Sequence, residues 1–433
     1  MAMLWTPLNV MQGIYIKYYG FALGVMAAIL LLSRVYDALM DVAVGILSDW
    51  VKRKTGRRKP LLCIGAILFC VTALFVYAPQ QGVGPLYLGL WLLGFFTGYA
   101  TLMISHLAWG AELAQESQQK TAIFSLYRAA GYVGLCVFYA LPLLPAFKTP
   151  EISPESIRIS AYVSAAILVF SISLCLKFVP ESPNSEPPML KDSPTVASGT
   201  REVFTNRPFL VLMGAYVLCG TGLGIWYGMI FLFVDVYLRK GALFAPIYLA
   251  AFAVGAVSSI GWNSISARIG KKAAWAAGMC VAFSSVLLTF WLSPQTADPW
   301  ALTLVLTANT IGLVSFELLP GSILADVTDY SLLRDRHSRV ATYFSIYMFA
   351  TKALFALGGA LGLGLAGFLG FDPHLQVQSE HGVLALRIVM AWLPGVLIIA
   401  SLGVIYLIPM DERRHAVVRR RLDQRNERSV VRA

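Results

Sequence analysis

The chain has 433 residues, of which 58% are hydrophobic and 13% charged, with a formal charge of +11. Soluble domains carry about 25% charged residues, so a water-soluble enzyme, a secreted domain and a disordered scaffold are excluded. At ~20 apolar residues per bilayer crossing, the apolar content is enough for about twelve spans.

Windows of ~19 residues place the spans near 4–19, 23–48, 61–78, 85–110, 121–147 and 158–178. A second set follows near 208–235, 244–267, 273–293, 300–324, 341–370 and 383–409. The start, Met-Ala-Met-Leu-Trp, lacks a basic n-region and runs straight into the first span, so no cleaved leader is expected. The segment 179–207 is the long polar break, with Pro180, Pro183, Pro187, Pro188 and Pro194, and reads as a flexible linker. The expected organisation is therefore a six-helix bundle (1–178), a linker (179–207), a second six-helix bundle (208–409) and a basic tail (410–433). The fold class is an all-α polytopic membrane protein.

Basic residues set the orientation. Of the 34 Lys and Arg, 25 fall in 49–60, 114–120, 177–207, 268–272, 326–340 and 410–433, which lie on one side of such a topology. The positive-inside rule makes that side cytoplasmic, with both termini on it. The charge then follows from topology, and no nucleic-acid partner is expected. The six cysteines all sit in apolar runs without a paired spacing, as small buried hydrophobes do.

An internal repeat supports two halves. Gly56, in Gly-Arg-Arg-Lys, and Gly270, in Ala-Arg-Ile-Gly-Lys-Lys, are 214 residues apart. Ala-Glu-Leu at 111–113 and Ala-Asp-Val at 325–327 have the same offset.

Charge inside a span costs at least ~2.5–3.5 kcal/mol on insertion scales, so each instance needs a partner or a cavity. The second span reads Ser33-Arg34-Val-Tyr-Asp37-Ala-Leu-Met-Asp41-Val-Ala-Val-Gly45, then Asp49. The spacing of four puts Asp37, Asp41, Gly45 and Asp49 along one stripe, with Arg34 close to it. Two carboxylates one turn apart can share a proton or wrap a small cation. One arginine neutralises only one of them. Arg128 in the fifth span and Lys352 in the eleventh are the other deep cations. Each could instead form a salt bridge to Glu112, Asp326 or Asp329 at the cytoplasmic span ends, but Lys352, about 17 Å along its helix from residue 341, is too deep to snorkel, which favours a cavity. Glu317 is similarly deep, and His106 reads as a packed polar residue. Among many aromatics, Trp109, Tyr127 and Tyr347 are candidates to line a solute site. Gly362-Leu-Gly364-Leu-Ala-Gly367 matches a dinucleotide fingerprint by letter, but it lies within an apolar span and reads as close helix packing. No Walker loop, HExxH or GxSxG is present, which excludes ATP-driven pumps and the common membrane hydrolases.

The two halves and the basic loop Gly45-Ile-Leu-Ser-Asp49 with Gly56-Arg57-Arg58-Lys59-Pro60 resemble the major facilitator superfamily. Arg34 to Gly45, His106-Leu-Ala-Trp-Gly-Ala-Glu112, Arg128, Ala325-Asp326-Val-Thr-Asp329-Tyr330 and Lys352 resemble its glycoside–pentoside–hexuronide:cation symporters, the family of melibiose permease. The resemblance implies that Asp37 and Asp41 hold the coupling cation, a proton or sodium, with no cofactor and no other metal. It implies substrate contacts at Arg128 and Lys352; Trp109, Tyr127 and Tyr347 are the aromatic candidates read beside them, and Asp49, Arg57, Arg58, Glu112 and Asp326 the expected gate. The chain departs from the family's pattern at Val42, Met40, Ala100 and Met103, where neutral oxygens and a sugar-binding acid are missing. That loss favours a proton over sodium.

The expected function is cation-coupled symport of a small organic solute, a sugar or glycoside, by alternating access. The expected setting is a monomer in a bacterial inner membrane. The alternatives are symport of an amphiphilic or lipid-like solute, and a sensor or scaffold that transports nothing.

Overall fold

The computed structural model describes residues 1–21, 23–80, 82–141, 154–181, 203–335, 337–371 and 379–432. Most of the expected linker (182–202) and the end of the expected fifth span (142–147) lie outside the described residues. The elements are helices: α1 (Ala2–Trp5), α2 (Leu8–Tyr19), α3 (Leu23–Thr55), α4 (Lys59–Tyr77), α5 (Pro85–Leu113), α6 (Ser117–Ala140), α7 (Pro154–Phe178), α8 (Arg207–Leu232), α9 (Gly241–Ile269), α10 (Lys271–Leu288), α11 (Pro299–Asp335), α12 (Val340–Phe368), α13 (Glu380–Arg387), α14 (Leu393–Leu407) and α15 (Glu412–Arg432). Each of the twelve expected spans has its helix. Among the described residues, ten helices are long and apolar enough to cross a membrane.

The helix ends follow local chemistry. Pro85 opens α5 after Gly84, and Pro208 sits in the first turn of α8, where a missing N–H costs nothing. Asn206 caps α8 by accepting from Phe209 N, and Ser379 caps α13 by accepting from Gly382 N. Gly270 ends α9 and begins α10 at φ +86°, a conformation side chains resist. Single π turns (Phe233–Tyr237 and Ile388–Trp392) carry α8 onward and join α13 to α14. At ~1.5 Å per residue the 33 residues of α3 reach about 50 Å, well beyond a ~30 Å hydrocarbon core. Its last turn, with Lys52, Arg53 and Lys54, therefore projects from the membrane.

The chain forms two compact units, one of Met1–Ala114, Gly131–Thr200 and Ser338–Phe349, the other of Gln115–Ala130, Arg201–His337 and Ala350–Ala433. The start of α6 thus belongs with the later helices and the start of α12 with the earlier ones. The first unit is built on close glycine contacts: a Cβ on Gly65 would meet the Leu102 backbone, and one on Gly98 the Phe69 backbone. Gly45 lets α3 lie against Ser345 and the Ala341 carbonyl of α12. Gly45→Ala is accordingly expected to cost about 1–3 kcal/mol, read as a lower melting temperature in detergent. A wild-type melting curve would show that the two helices separate freely.

In the second unit α8 meets α12 at Gly224 and Gly228 against Leu354, Gly358 and Gly359. Of the letter-matched glycines, Gly362 packs on Ile225 and Met229, while added Cβ atoms on Gly364 and Gly367 would meet nothing. The close approach is real, but its centre lies a turn earlier than the letter match.

Candidate functional site

Asp37 and Asp41 of α3 are buried, with 2% and 1% of their surfaces exposed. One helical turn separates them, so they share a face. Arg34 behaves differently from the expectation of a buried counter-charge. Its side chain is exposed, and the guanidinium stands over the Phe96 ring, 5.6 Å from the centroid. The long flexible arginine stem lets the charge leave the stripe that its Cα helps to form. Nearby, the Tyr36 hydroxyl pairs with Thr97 Oγ1 at 2.8 Å, tying α3 to α5.

Further along the same stripe Asp49 belongs to a dense ion-pair cluster within the first unit. Its Oδ1 accepts from Arg58 Nη2 at 2.9 Å and from Ala341 N at 3.0 Å. Its Oδ2 accepts from Thr342 N at 2.8 Å and from Thr342 Oγ1 at 2.7 Å. The carboxylate thereby caps the first turn of α12, where amide groups and the helix dipole favour an anion. Arg58 forks onto Glu112, Nε to Oε2 at 2.9 Å and Nη2 to Oε1 at 2.7 Å, and its Nη1 donates to Ser48 Oγ at 2.9 Å. Lys52 adds a second cation 2.8 Å from Glu112. Burial alone would depress the Arg58 guanidinium; Glu112 and Asp49 outweigh it and raise the pKa above the usual arginine value. The expected gate joined Asp49 to the loop of Arg57 and Arg58 or to another cytoplasmic cation. Only Arg58 is buried; Arg57 is exposed to solvent.

Trp109, one turn before Glu112, is fully enclosed, with Lys59 Nζ 5.8 Å from its ring centroid. This placement makes Trp109, a candidate to line a solute site, part of the packing around the ion pairs. Tyr347 is also buried in the first unit.

The second unit has a cluster of its own. Lys120 of α6 is completely buried and donates to Asp329 Oδ2 at 2.6 Å and to the Ala325 carbonyl at 2.9 Å. Asp326 accepts from Lys271 Nζ at 2.6 Å and Ser117 Oγ at 2.7 Å. The tail helix α15 joins in: His415 Nε2 lies 2.8 Å from Asp329 Oδ2, and Glu412 accepts from Lys271 N at 3.0 Å. Lys120 and His415 were not singled out in the sequence, and the repeat offset marks only the acid they surround and an amide near it. Glu112 plus 214 is Asp326, and Asp49 plus 214 is Asn263, which accepts from Gln118 Nε2 at 3.1 Å. The second copy of the loop has thus exchanged its acid for an amide.

Deep in the same unit Arg128 meets Glu317, Nη1 to Oε2 at 3.5 Å, and donates through Nε to the Glu317 carbonyl at 3.2 Å. The Tyr127 ring lies 5.5 Å from the Arg128 guanidinium carbon. Arg128 was expected to pair with Glu112, Asp326 or Asp329 if it paired at all; those acids are held by other cations, and its partner is Glu317. Lys352 is half-buried on α12 in this unit.

Among the described residues the chain is helical, with long apolar helices and charges buried within the bundle, as befits a membrane transporter. A family profile described as MFS/sugar transport protein matches residues 1–412. The chain belongs to that family. It is 24% identical to a glucuronide carrier protein homolog of Escherichia coli (strain K12) over 426 residues, covering 95% of this chain and 91% of the relative. It is 22% identical to sodium-dependent lysophosphatidylcholine symporter 1 of Xenopus tropicalis over 431 residues, covering 90% and 81%. The crystal structure of the E. coli fucose:proton symporter FucP superposes with a TM-score of 0.65 at 15% identity, over 94% of this chain and 97% of that one. At that identity the likeness is one of fold, the twelve-helix major facilitator fold.

Proposed function

We infer that this protein is a cation-coupled symporter that moves a small organic solute, a sugar or glycoside, by alternating access. The observation that carries the reading is the pair Asp37 and Asp41, buried one turn apart in a membrane helix. Acids are retained at such depth when they bind or pass an ion. The absence of side-chain oxygens at Val42, Ala100 and Met103 supports a proton, because sodium needs several neutral oxygens to replace its water. Arg128, Lys352 and Tyr127 are assigned to the solute, joined by Tyr347. Asp49, Arg58, Glu112 and Asp326 are assigned to a gate at the basic end. The positive-inside rule puts that end and both termini in the cytoplasm of a bacterial inner membrane, and the chain works as a monomer. The resemblance of whole length to a glucuronide carrier homolog supports this solute class.

A second reading is favoured by one observation. On the side of α3 opposite Asp37 and Asp41 lies an open apolar groove, lined by Val35, Ala38, Leu39, Val42, Ala43, Ile46 and Phe349. Such a lining suits an acyl chain, and a relative is named for lysophosphatidylcholine symport.

Proteoliposomes decide between the readings. A one-unit pH step, inside alkaline, is expected to drive a labelled glycoside to about tenfold accumulation, the limit for one proton per solute. Accumulation of a labelled lysophospholipid alone selects the second reading. Movement of neither solute under proton or sodium gradients leaves a sensor or scaffold and overturns both.

A further inference from the structure

The last helix, α15 (Glu412–Arg432), runs on past residue 412, where the family match stops. Only residues 408–411 separate it from α14. There Tyr406 and Leu407 expose 64% and 71% of their surfaces, apolar surface that suits lipid. The start of α15 is pinned as well. Lys272 Nζ donates to the Ile408 carbonyl at 3.0 Å, and Glu412 accepts from Lys271 N at 3.0 Å. Lys271 is the first residue of another helix apolar and long enough to span, so α15 leaves from the edge of the bilayer.

α15 has two unlike faces. One is docked: His415, Val418, Arg419 and Leu422 are buried, and His415 and Arg419 reach Asp329 at 2.8 and 3.9 Å. The other carries Arg413, Arg414, Arg420 and Arg421, all exposed, around Val417, which exposes 49% of its surface. These positions recur every three or four residues, so they share one face over about 12 Å. Among the described residues none of the four arginines pairs with a carboxylate; Arg414 Nη1 donates to the Pro409 carbonyl at 2.9 Å. The acids nearby are spent elsewhere. Glu412 takes the Lys271 amide, Asp411 the Arg414 amide at 2.8 Å, and Asp423 lies 3.7 Å from Arg419.

We infer that this face of α15 docks on the anionic phospholipid headgroups of the leaflet beside it, the four arginines meeting lipid phosphates and Val417 entering the interface between them. In the orientation proposed above that leaflet is the cytoplasmic one, which carries the anionic lipids. Four uncompensated charges on one face repel each other, and an anionic surface offsets that repulsion. Each arginine brought to such a surface strengthens attachment about fivefold. The apolar centre of the patch and the adjoining span favour a membrane over a soluble acidic protein.

The test reads amide hydrogen exchange of residues 413–425 in the full chain, held in nanodiscs of phosphatidylcholine alone or with about a third phosphatidylglycerol. Phosphatidylglycerol is expected to slow exchange in this segment about tenfold. Raising salt from about 0.1 M to about 1 M cuts the screening length from about 10 Å to about 3 Å and is expected to remove that slowing. In phosphatidylcholine the same step is expected to change exchange less than about twofold, because buried pairs are screened much less. The combined variant Arg413→Gln, Arg414→Gln, Arg420→Gln and Arg421→Gln is expected to exchange alike in both lipids and to melt as the wild type does. Equal wild-type exchange in the two lipids overturns the inference, as does slowing that survives high salt or persists in the variant. The salt comparison needs no variant and decides the matter if the variant fails to fold. Slowing by soluble polyglutamate but not by phosphatidylglycerol overturns the inference in favour of an acidic protein. The measurement involves no solute, and nanodiscs present one lipid mixture on both faces. Its failure therefore leaves the transport and orientation readings standing.

Discussion

Asp41→Asn is expected to abolish accumulation of solute against its gradient, while solute binding stays within about threefold of wild type. Asparagine matches the carboxylate in shape but can neither release a proton at physiological pH nor attract sodium with a full charge. Coupling is a free-energy link between two ligands, and removing one binding group removes the link without touching the other site. Exchange of labelled for unlabelled solute across the membrane needs no net ion movement, so it survives. Asp37→Asn is expected to behave likewise, because both acids are buried on one face of α3. The measurement is accumulation under an imposed proton or sodium gradient, beside exchange at equilibrium, in the same proteoliposomes. Wild-type accumulation by Asp41→Asn means that the pair is structural. Loss of exchange as well would move Asp41 into the solute site.

Arg58→Gln is expected to lower stability by about 3–5 kcal/mol, the usual cost of stranding buried charge. Asp49 and Glu112 would both lose their short bonds to the guanidinium, and Lys52 reaches only Glu112. Arg58→Lys is expected to recover only part of the loss. A single ammonium cannot span Glu112, Asp49 and Ser48 as the planar fork does. Thermal unfolding in detergent reads the stability term. The gating assignment needs a second readout, supplied by Asp49→Asn. That change keeps Arg58 and Glu112 together but weakens the cap on Ala341 and Thr342. It is expected to raise the labelling rate of a cysteine placed at Ser345, beneath the cap, by a reagent added to the cytoplasmic side. An unchanged rate together with normal transport leaves the basic loop with a topological role alone.

Much of this molecule was legible without coordinates. Helix count and class follow from apolar content and span length, because a bilayer leaves the backbone few ways to bond itself. The stripe of Asp37, Asp41 and Asp49 follows from the helical period alone, and the buried state of all three agrees with it. The offset of 214 placed Glu112 and Asp326 in equivalent positions, and each is the hub of an ion-pair cluster. These features are local or periodic, so a one-dimensional pattern contains them.

Partner choice is another matter. Arg34, placed by its spacing near the acids, turns away over Phe96, since a long side chain can point its charge far from its Cα. Arg57 and Arg58 are adjacent in sequence, yet a step of about 100° around the backbone sends one to solvent and one into a buried fork. Glu317 had no motif to mark it, because its partner Arg128 lies 189 residues earlier. Lys120 and His415 reach Asp329 from helices that are remote in the chain. Composition and periodicity determined a membrane protein with room for about twelve spans and with acids along its second span. Which cation meets which acid was decided by the tertiary structure, because ion pairs depend on separations of a few ångströms between segments whose distance in sequence says nothing about their distance in space.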